Sequence, residues 1–124
     1  MPARLPQGAV RNQAVTAADW LPTVAELCGV PLPNVTLDGR SLMPIIRSAD
    51  APTHHKVMHW QWNVKWAVRE GPWKLIGAKD QPQWLGNLDD EEPEAANYLE
   101  QKPSIVERLH ALHNEWAADV TPNR

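Results

Sequence analysis

Phenylalanine is missing from this 124-residue sequence, and tyrosine and cysteine occur once each. With Cys28 alone, no internal disulfide can form and no cysteine-based metal cluster exists. A missing disulfide selects no compartment, so localisation stays open. The formal net charge of -3 gives no basic footprint, which argues against a nucleic-acid partner. Nowhere do 18 apolar residues follow one another, and the amino end has no charged-then-apolar leader. The chain therefore reads as soluble, with no membrane-spanning segment and no visible targeting signal. No loop has the glycine spacing that cradles a phosphate. No nucleophile sits in a strand-turn-helix elbow beside a base and an orienting third group.

What the sequence does have is tryptophan. Four of its seven Trp residues (Trp60, Trp62, Trp66 and Trp73) fall between Met58 and Ile76. From Met58 to Val68 every even position is apolar, while His59, Gln61, Asn63 and Lys65 take odd ones. A period of two reads as strand, with the even face buried and the odd face wet. Asn63 is the expected turn between strands at Lys56–Trp62 and Lys65–Arg69. Gly71-Pro72 then precedes a strand Trp73–Ile76, and Trp84–Leu88 supplies a short fourth. Short connections of this kind give a three- to four-stranded antiparallel meander.

Helices are expected on either side of it. Residues 1–15 read as an irregular lead-in, and 16–124 as one α+β domain. Thr16 or Asp19 can cap a helix that Gly29 ends, with Leu21, Val24, Leu27 and Cys28 on one apolar face. That face makes Cys28 a buried, inert thiol. Leu42, Ile45 and Ile46 face inward from a short turn around Pro44. Between Lys79 and Glu100 there are seven acidic residues and no basic one, an acidic solvated turn rather than a cation site. Ala95–Leu99 reads as a helical turn. Ser104-x-x-Glu107 is a capping box ahead of Ile105, Leu109, Leu112 and Trp116, an amphipathic helix of about four turns that should cover one sheet face. Residues 121–124 form a frayed tail.

Candidate chemistry is sparse. His54, His55 and His59 cluster at the first strand, and a strand reading points His55 and His59 the same way. Two imidazoles on one wet face can bind zinc with a carboxylate from elsewhere, or act as acid and base. No HExxH pattern accompanies them, and a solvated strand face is the plainer reading. His110 and His113 take ordinary helix positions, His113 bordering the apolar stripe. Trp rings beside Arg and Lys also suit a carbohydrate- or protein-binding surface.

Four segments, in order, carry a family resemblance. Asp19-Trp20-Leu21-Pro22-Thr23 resembles the Asp-x-x-Pro-Thr helix of the sulfatases, and Asp38-Gly39-Arg40-Ser41-Leu42-Met43-Pro44 their Asp-Gly-x-Ser-Leu-x-Pro segment. Ala67-Val68-Arg69-Glu70-Gly71-Pro72-Trp73-Lys74-Leu75-Ile76 resembles the Ala-Val-Arg-x-Gly-x-Trp-Lys-Leu-Ile strands. Leu85–Leu99 resembles the stretch before the terminal helix, with Trp84 and Gly86 departing from its pattern. The resemblance covers Asp19 to about Trp116. It implies the carboxyl-terminal region of an arylsulfatase-like protein, a four-stranded antiparallel sheet with a packed helix.

The resemblance also implies what to look for and not find. The family hydrolyses sulfate esters with a formylglycine made in a Cys/Ser-x-Pro-x-Arg motif, beside a calcium ion, both in a large catalytic domain. Cys28 is followed by Gly-Val-Pro-Leu-Pro, so that motif is not here, and no calcium ligands match. The expectation is a noncatalytic region with no cofactor of its own. Its partner is then a sulfatase catalytic domain, or a second copy through the surface that domain would cover. His54, His55, His59 and Trp60 are the candidates for a substrate rim. The alternative is a stand-alone Trp-rich carbohydrate- or protein-binding module.

Overall fold

A computed structural model describes residues 5–120; parts of the expected lead-in and all of the expected tail lie outside the described residues. These residues fall into two compact units that divide between His55 and Lys56.

The first unit is built on a hydrogen-bonded corner. Thr16 caps a 3-10 turn, Ala17–Asp19, and Asp19 returns its carboxylate to the Thr16 backbone N–H, closing a capping box. Helix α1, Trp20–Cys28, follows directly and ends at Gly29, whose φ of 67° is the left-handed cap that glycine adopts at no steric cost. Helix α2, Met43–Arg47, buries Met43 and Ile45. Its last carbonyls accept from Arg11, which donates from Nε to Ile45 and from a terminal nitrogen to Ile46 at 2.7 and 2.8 Å.

The apolar stripe expected on α1 is not the buried one. Pro22, Thr23 and Ala25 are buried, whereas Leu21, Val24 and Cys28 are exposed. Hydrogen bonding explains the difference: Thr23 must face inward because its hydroxyl is used on both sides. It donates to the Asp19 carbonyl at 2.6 Å and accepts from the Leu42 N–H at 2.8 Å.

The second unit is a four-stranded antiparallel meander in the order β1 (Val57–Trp62), β2 (Lys65–Glu70), β3 (Trp73–Ala78) and β4 (Gln81–Asn87). Each hairpin turns in two residues, with a positive φ at the first: Asn63 at 54°, Gly71 at 55° and Lys79 at 52°. Such turns match the twist of the flanking strands. β4 extends further toward the amino end than expected and contains Pro82, which an edge strand tolerates.

Pairing register corrects the even-face expectation. Trp62 pairs with Lys65, and Gln61 with Trp66. A two-residue turn joins an even position to an odd one, so parity inverts across it. The face that carries His59 in β1 thus carries Trp66 and Val68 in β2, Leu75 and Gly77 in β3, and Leu85 in β4. Trp60 and Trp62 lie on the opposite face, 45% and 80% exposed.

Helix α3, Pro103–Val120, covers the first of these faces. Proline opens the helix, where its missing N–H is no loss, so Ser104 lies in the first turn and not at the cap. Leu109 joins Trp66, Val68, Leu75 and Leu85 in the core, with Ile105, Val106 and Leu112 packed around it. Four of these side chains are fully buried, each worth about 1.5–3 kcal/mol relative to exposure.

The stretch Ala95–Leu99 is not helical; it seals a sheet edge. Tyr98 N–H donates to the Leu85 carbonyl at 2.7 Å, and the Asn97 side-chain oxygen accepts from the Leu85 N–H at 3.0 Å. The outer backbone of β4 is thereby occupied, one way of blunting an exposed edge.

Candidate functional site

In the first unit the ionisable chemistry converges on Asp19, which is fully buried. Its Oδ2 accepts from the Thr16 N–H and its Oδ1 from the Arg40 N–H, each at 2.8 Å. His55 Nε2 lies 2.8 and 2.9 Å from the two oxygens. Desolvation pushes the Asp19 carboxyl up, but the hydrogen bonds from Thr16, Arg40 and His55 together outweigh it and hold the group below the usual carboxylate range. Gly39 is needed for this arrangement, because a Cβ there would stand 1.9 Å from the Ala18 carbonyl oxygen.

This corner gives the recurring residues their physical roles. Asp19 and Thr23, four residues apart on one side of a turn, hold the backbone of Arg40 and Leu42 through the alternate N–H groups of an extended segment. Gly39 lets that segment approach. Beside it a cleft of 610 Å³ is lined by Pro22, Glu26, Leu37, Arg40 and Ser41, among others. Ser41 donates to Glu26, which Arg47 also approaches at 3.8 Å.

In the second unit, aromatic rings and imidazoles meet between the sheet and α3. His113 stacks on Trp66 with centroids 4.2 Å apart, and His110 lies parallel to the same indole at 5.4 Å. His59 stacks on Trp116 at 4.9 Å. Trp66 is fixed by its Nε1, which donates to the Lys79 carbonyl at 2.6 Å, and by Gly77, where a Cβ would meet the indole at 2.1 Å. Burial pushes the His59 imidazole below its ordinary value, aided by repulsion from His113; burial pushes His113 down too, aided by His110.

The opposite sheet face is open around Trp60 and Trp62, while Met58 on the same face is buried. Two shallow clefts of 430 and 370 Å³ meet over Trp60, Ala67 and Ile76. Arg69 and Lys74 border one, Lys65 and Trp62 the other. Trp84 lies along this face over Gly86, where a Cβ would stand 1.8 Å from its ring.

Of the four rim candidates, His54 and His55 belong to the first unit and His59 and Trp60 to the second. His55 is committed to Asp19, and β1 begins only at Val57, so strand parity does not relate it to His59. His54 has a buried Nε2 with no hydrogen-bond partner. His59 is on the α3 side of the sheet and Trp60 on the open side. Sequence reasoning missed Asp19 and His113. Asp19 was visible locally as a candidate cap, while the imidazole-indole stacks join residues 44 or more positions apart. Among the described residues no three His, Cys, Asp or Glu side chains are grouped to hold a metal ion, and no helix is long and apolar enough to cross a membrane.

No family model matches the sequence. Individual relatives do. Human arylsulfatase A is 51% identical over 37 residues, 30% of this chain. Arylsulfatase A of Bos taurus is 33% identical over 70 residues, 52% of the chain, and steryl-sulfatase of Mus musculus is 33% identical over 81 residues, 60% of the chain. The chain spans 7, 14 and 13% of the length of these curated relatives.

Among solved structures, Ps i-CgsB superposes with a TM-score of 0.76 at 23% identity, over 97% of this chain and 28% of that one. A structure from work on glycosaminoglycan metabolism by Bacteroides thetaiotaomicron, labelled BT33336S-sulf, gives 0.57 at 22% identity, over 76 and 23%. The fold is thus one that occurs as part of larger chains. The sequence matches, each over part of the chain, relate it to sulfatases.

Proposed function

We propose that this chain is the noncatalytic carboxyl-terminal region of an arylsulfatase-like sulfuric ester hydrolase, with a structural and substrate-rim role in the parent enzyme and no activity alone. One observation carries the reading: nearly the whole fold is reproduced inside a chain more than three times as long. The apolar outer side of α1 supports it. Trp20, Leu21 and Val24 are 65, 55 and 48% exposed on one nine-residue helix, a surface suited to burial against further protein. The partner in this reading is a sulfatase catalytic domain, which supplies the calcium and formylglycine. In its absence a second copy of the chain covers the same surface. Trp60, beside exposed Trp62, is the rim residue with an accessible ring; His55 and His59 contribute only if their present contacts exchange, and His54 brings a buried Nε2 without a partner.

Hydrolysis of an aryl sulfate ester by the purified chain with added calcium tests the proposal. No turnover above buffer is expected. Turnover that survives repurification and falls with a substitution in the chain overturns it.

A second reading has its own observation. Among the described residues the sheet positions on the open face that carry charge are Lys65, Arg69 and Lys74, all cationic in a chain of net charge -3, although Lys74 is paired with Glu94; they lie beside exposed Trp60 and Trp62. Indole faces flanked by cations suit a sugar chain with acidic groups. Quenching of Trp fluorescence by an acidic oligosaccharide, lost in Trp60→Ala, favours this binding-module reading. No quenching across neutral and acidic sugars removes it.

A further inference from the structure

The carboxyl-terminal half of α3 is held differently from its amino-terminal half. Ile105, Val106 and Leu109 pack into the aliphatic core, and Arg108 pairs with Glu70 of β2. Beyond Leu109, Leu112 still packs on that core, and the other contacts described are between rings: His110 and His113 on Trp66, and Trp116 on His59. His113 is 5% exposed. Its Nδ1 and that of His59 are both buried without a hydrogen-bond partner.

The charges around these rings are few. From β1 the titratable group is His59 itself, and from β2 it is Glu70, already joined to Arg108. β3 and β4 present Trp73, Leu75, Gly77 and Leu85 on this face, none of them titratable. From α3 come Arg108, His110 and His113, while Glu107, Glu115 and Asp119 of the same helix are exposed. Glu70 lies four residues along β2 from Trp66, about 13 Å at ~3.3 Å per residue. Among the described residues no carboxylate makes a hydrogen bond or ion pair with His59 or His113.

We propose that the His59–Trp116 and His113–Trp66 stacks are a proton-operated latch, which holds the carboxyl-terminal half of α3 to the sheet while both imidazoles are neutral and releases it when they are protonated. A cation over an indole is itself attractive, by about 0.5–2 kcal/mol. Against this stand an unpaired charge kept from water, at a cost of several kcal/mol, and a second imidazole 6.4 Å away. Because both Nδ1 atoms are buried without a partner that could take up the charge, the balance lies against protonation, the direction in which burial also pushes both rings. With the folded value below the unfolded one, attachment is complete above the ordinary imidazole range and is lost as pH falls through the folded values. The inference rests on the second unit alone and does not depend on the sulfatase reading.

Amide hydrogen exchange of the whole chain at about pH 7.5 and about pH 5, either side of the ordinary imidazole value, tests the latch. After correction for intrinsic rates, amides of residues 110–120 should exchange faster at the lower pH, by up to about tenfold per pH unit for each linked proton. Amides of β2 and β3 should change much less. In His113→Phe, which keeps a ring on Trp66 and removes the titrating nitrogens, that difference should shrink; if this variant does not fold, His59→Phe makes the same comparison at the other stack. Equal protection of residues 110–120 at both pH values overturns the proposal, as does a pH dependence undiminished in the folded variants.

Discussion

His55 Nε2 sits between the two carboxylate oxygens of Asp19, at 2.8 and 2.9 Å, and Asp19 has no exposed surface. The pair ties the end of the first unit to the start of α1. It makes Asp19 a structural anion, fully used by its own chain, and leaves no free oxygen for a metal or a substrate in this arrangement.

Asp19→Ala removes the acceptor from two backbone N–H groups and from His55. Stranding buried donors of this kind costs about 3 kcal/mol or more. Urea unfolding of the variant, followed through Trp20, should show that loss. Because hydrogen bonding depresses the Asp19 value in the folded chain, its stabilisation is full above the ordinary carboxylate range and is lost as pH falls through the lower folded value. The acid limb of the stability profile should flatten in Asp19→Asn.

Two glycines separate crowding from backbone conformation. At Gly39 an added Cβ meets the Ala18 carbonyl, so Gly39→Ala must move backbone and should cost about 1–3 kcal/mol. At Gly71 the space is open but φ is 55°, and Gly71→Ala should cost about 1 kcal/mol. Denaturant midpoints measure both; equal effects would contradict the difference in cause.

The two faces of the sheet should respond oppositely to truncation. Leu109→Ala empties a fully buried position and should destabilise by about 2–5 kcal/mol. Trp62→Ala, at an 80% exposed position, should remain within about 0.5 kcal/mol. A large loss at Trp62 would show that its face is covered in solution.

Asn97 guards the outer edge of β4 by accepting from the Leu85 N–H, and also bonds the Leu99 N–H at 3.1 Å. Asn97→Ala should cost about 1 kcal/mol and release the Leu85 amide to faster exchange. Increased self-association would follow if that edge becomes a pairing site.

Much of the architecture was legible because it is written in local signals. Alternation and turn residues indicated three or four strands in order, of which four form, and the spacing of Ile105, Leu109, Leu112 and Trp116 indicated the last helix. The resemblance of four short segments pointed to the sulfatases, and the sequence matches agree. Cys28 misled because its spacing with Leu21 and Val24 suggests a core face, while the buried side was set by the Thr23 hydroxyl and its two backbone partners. The candidate histidines were visible as residue types only. Their partners, Asp19 for His55 and Trp116 for His59, lie 36 and 57 positions away, beyond the reach of any local pattern.

By itself the sequence determined which segments become strands and helices, because periodicity, capping and turn chemistry act over a few residues. Only the tertiary structure decided which face each Trp takes. The two-residue turn at Asn63-Val64 inverts parity, so Trp66 is buried under α3 while Trp60 and Trp62 face outward. That pairing, together with the docking of α3, is what brings three histidines and two indoles into one interface.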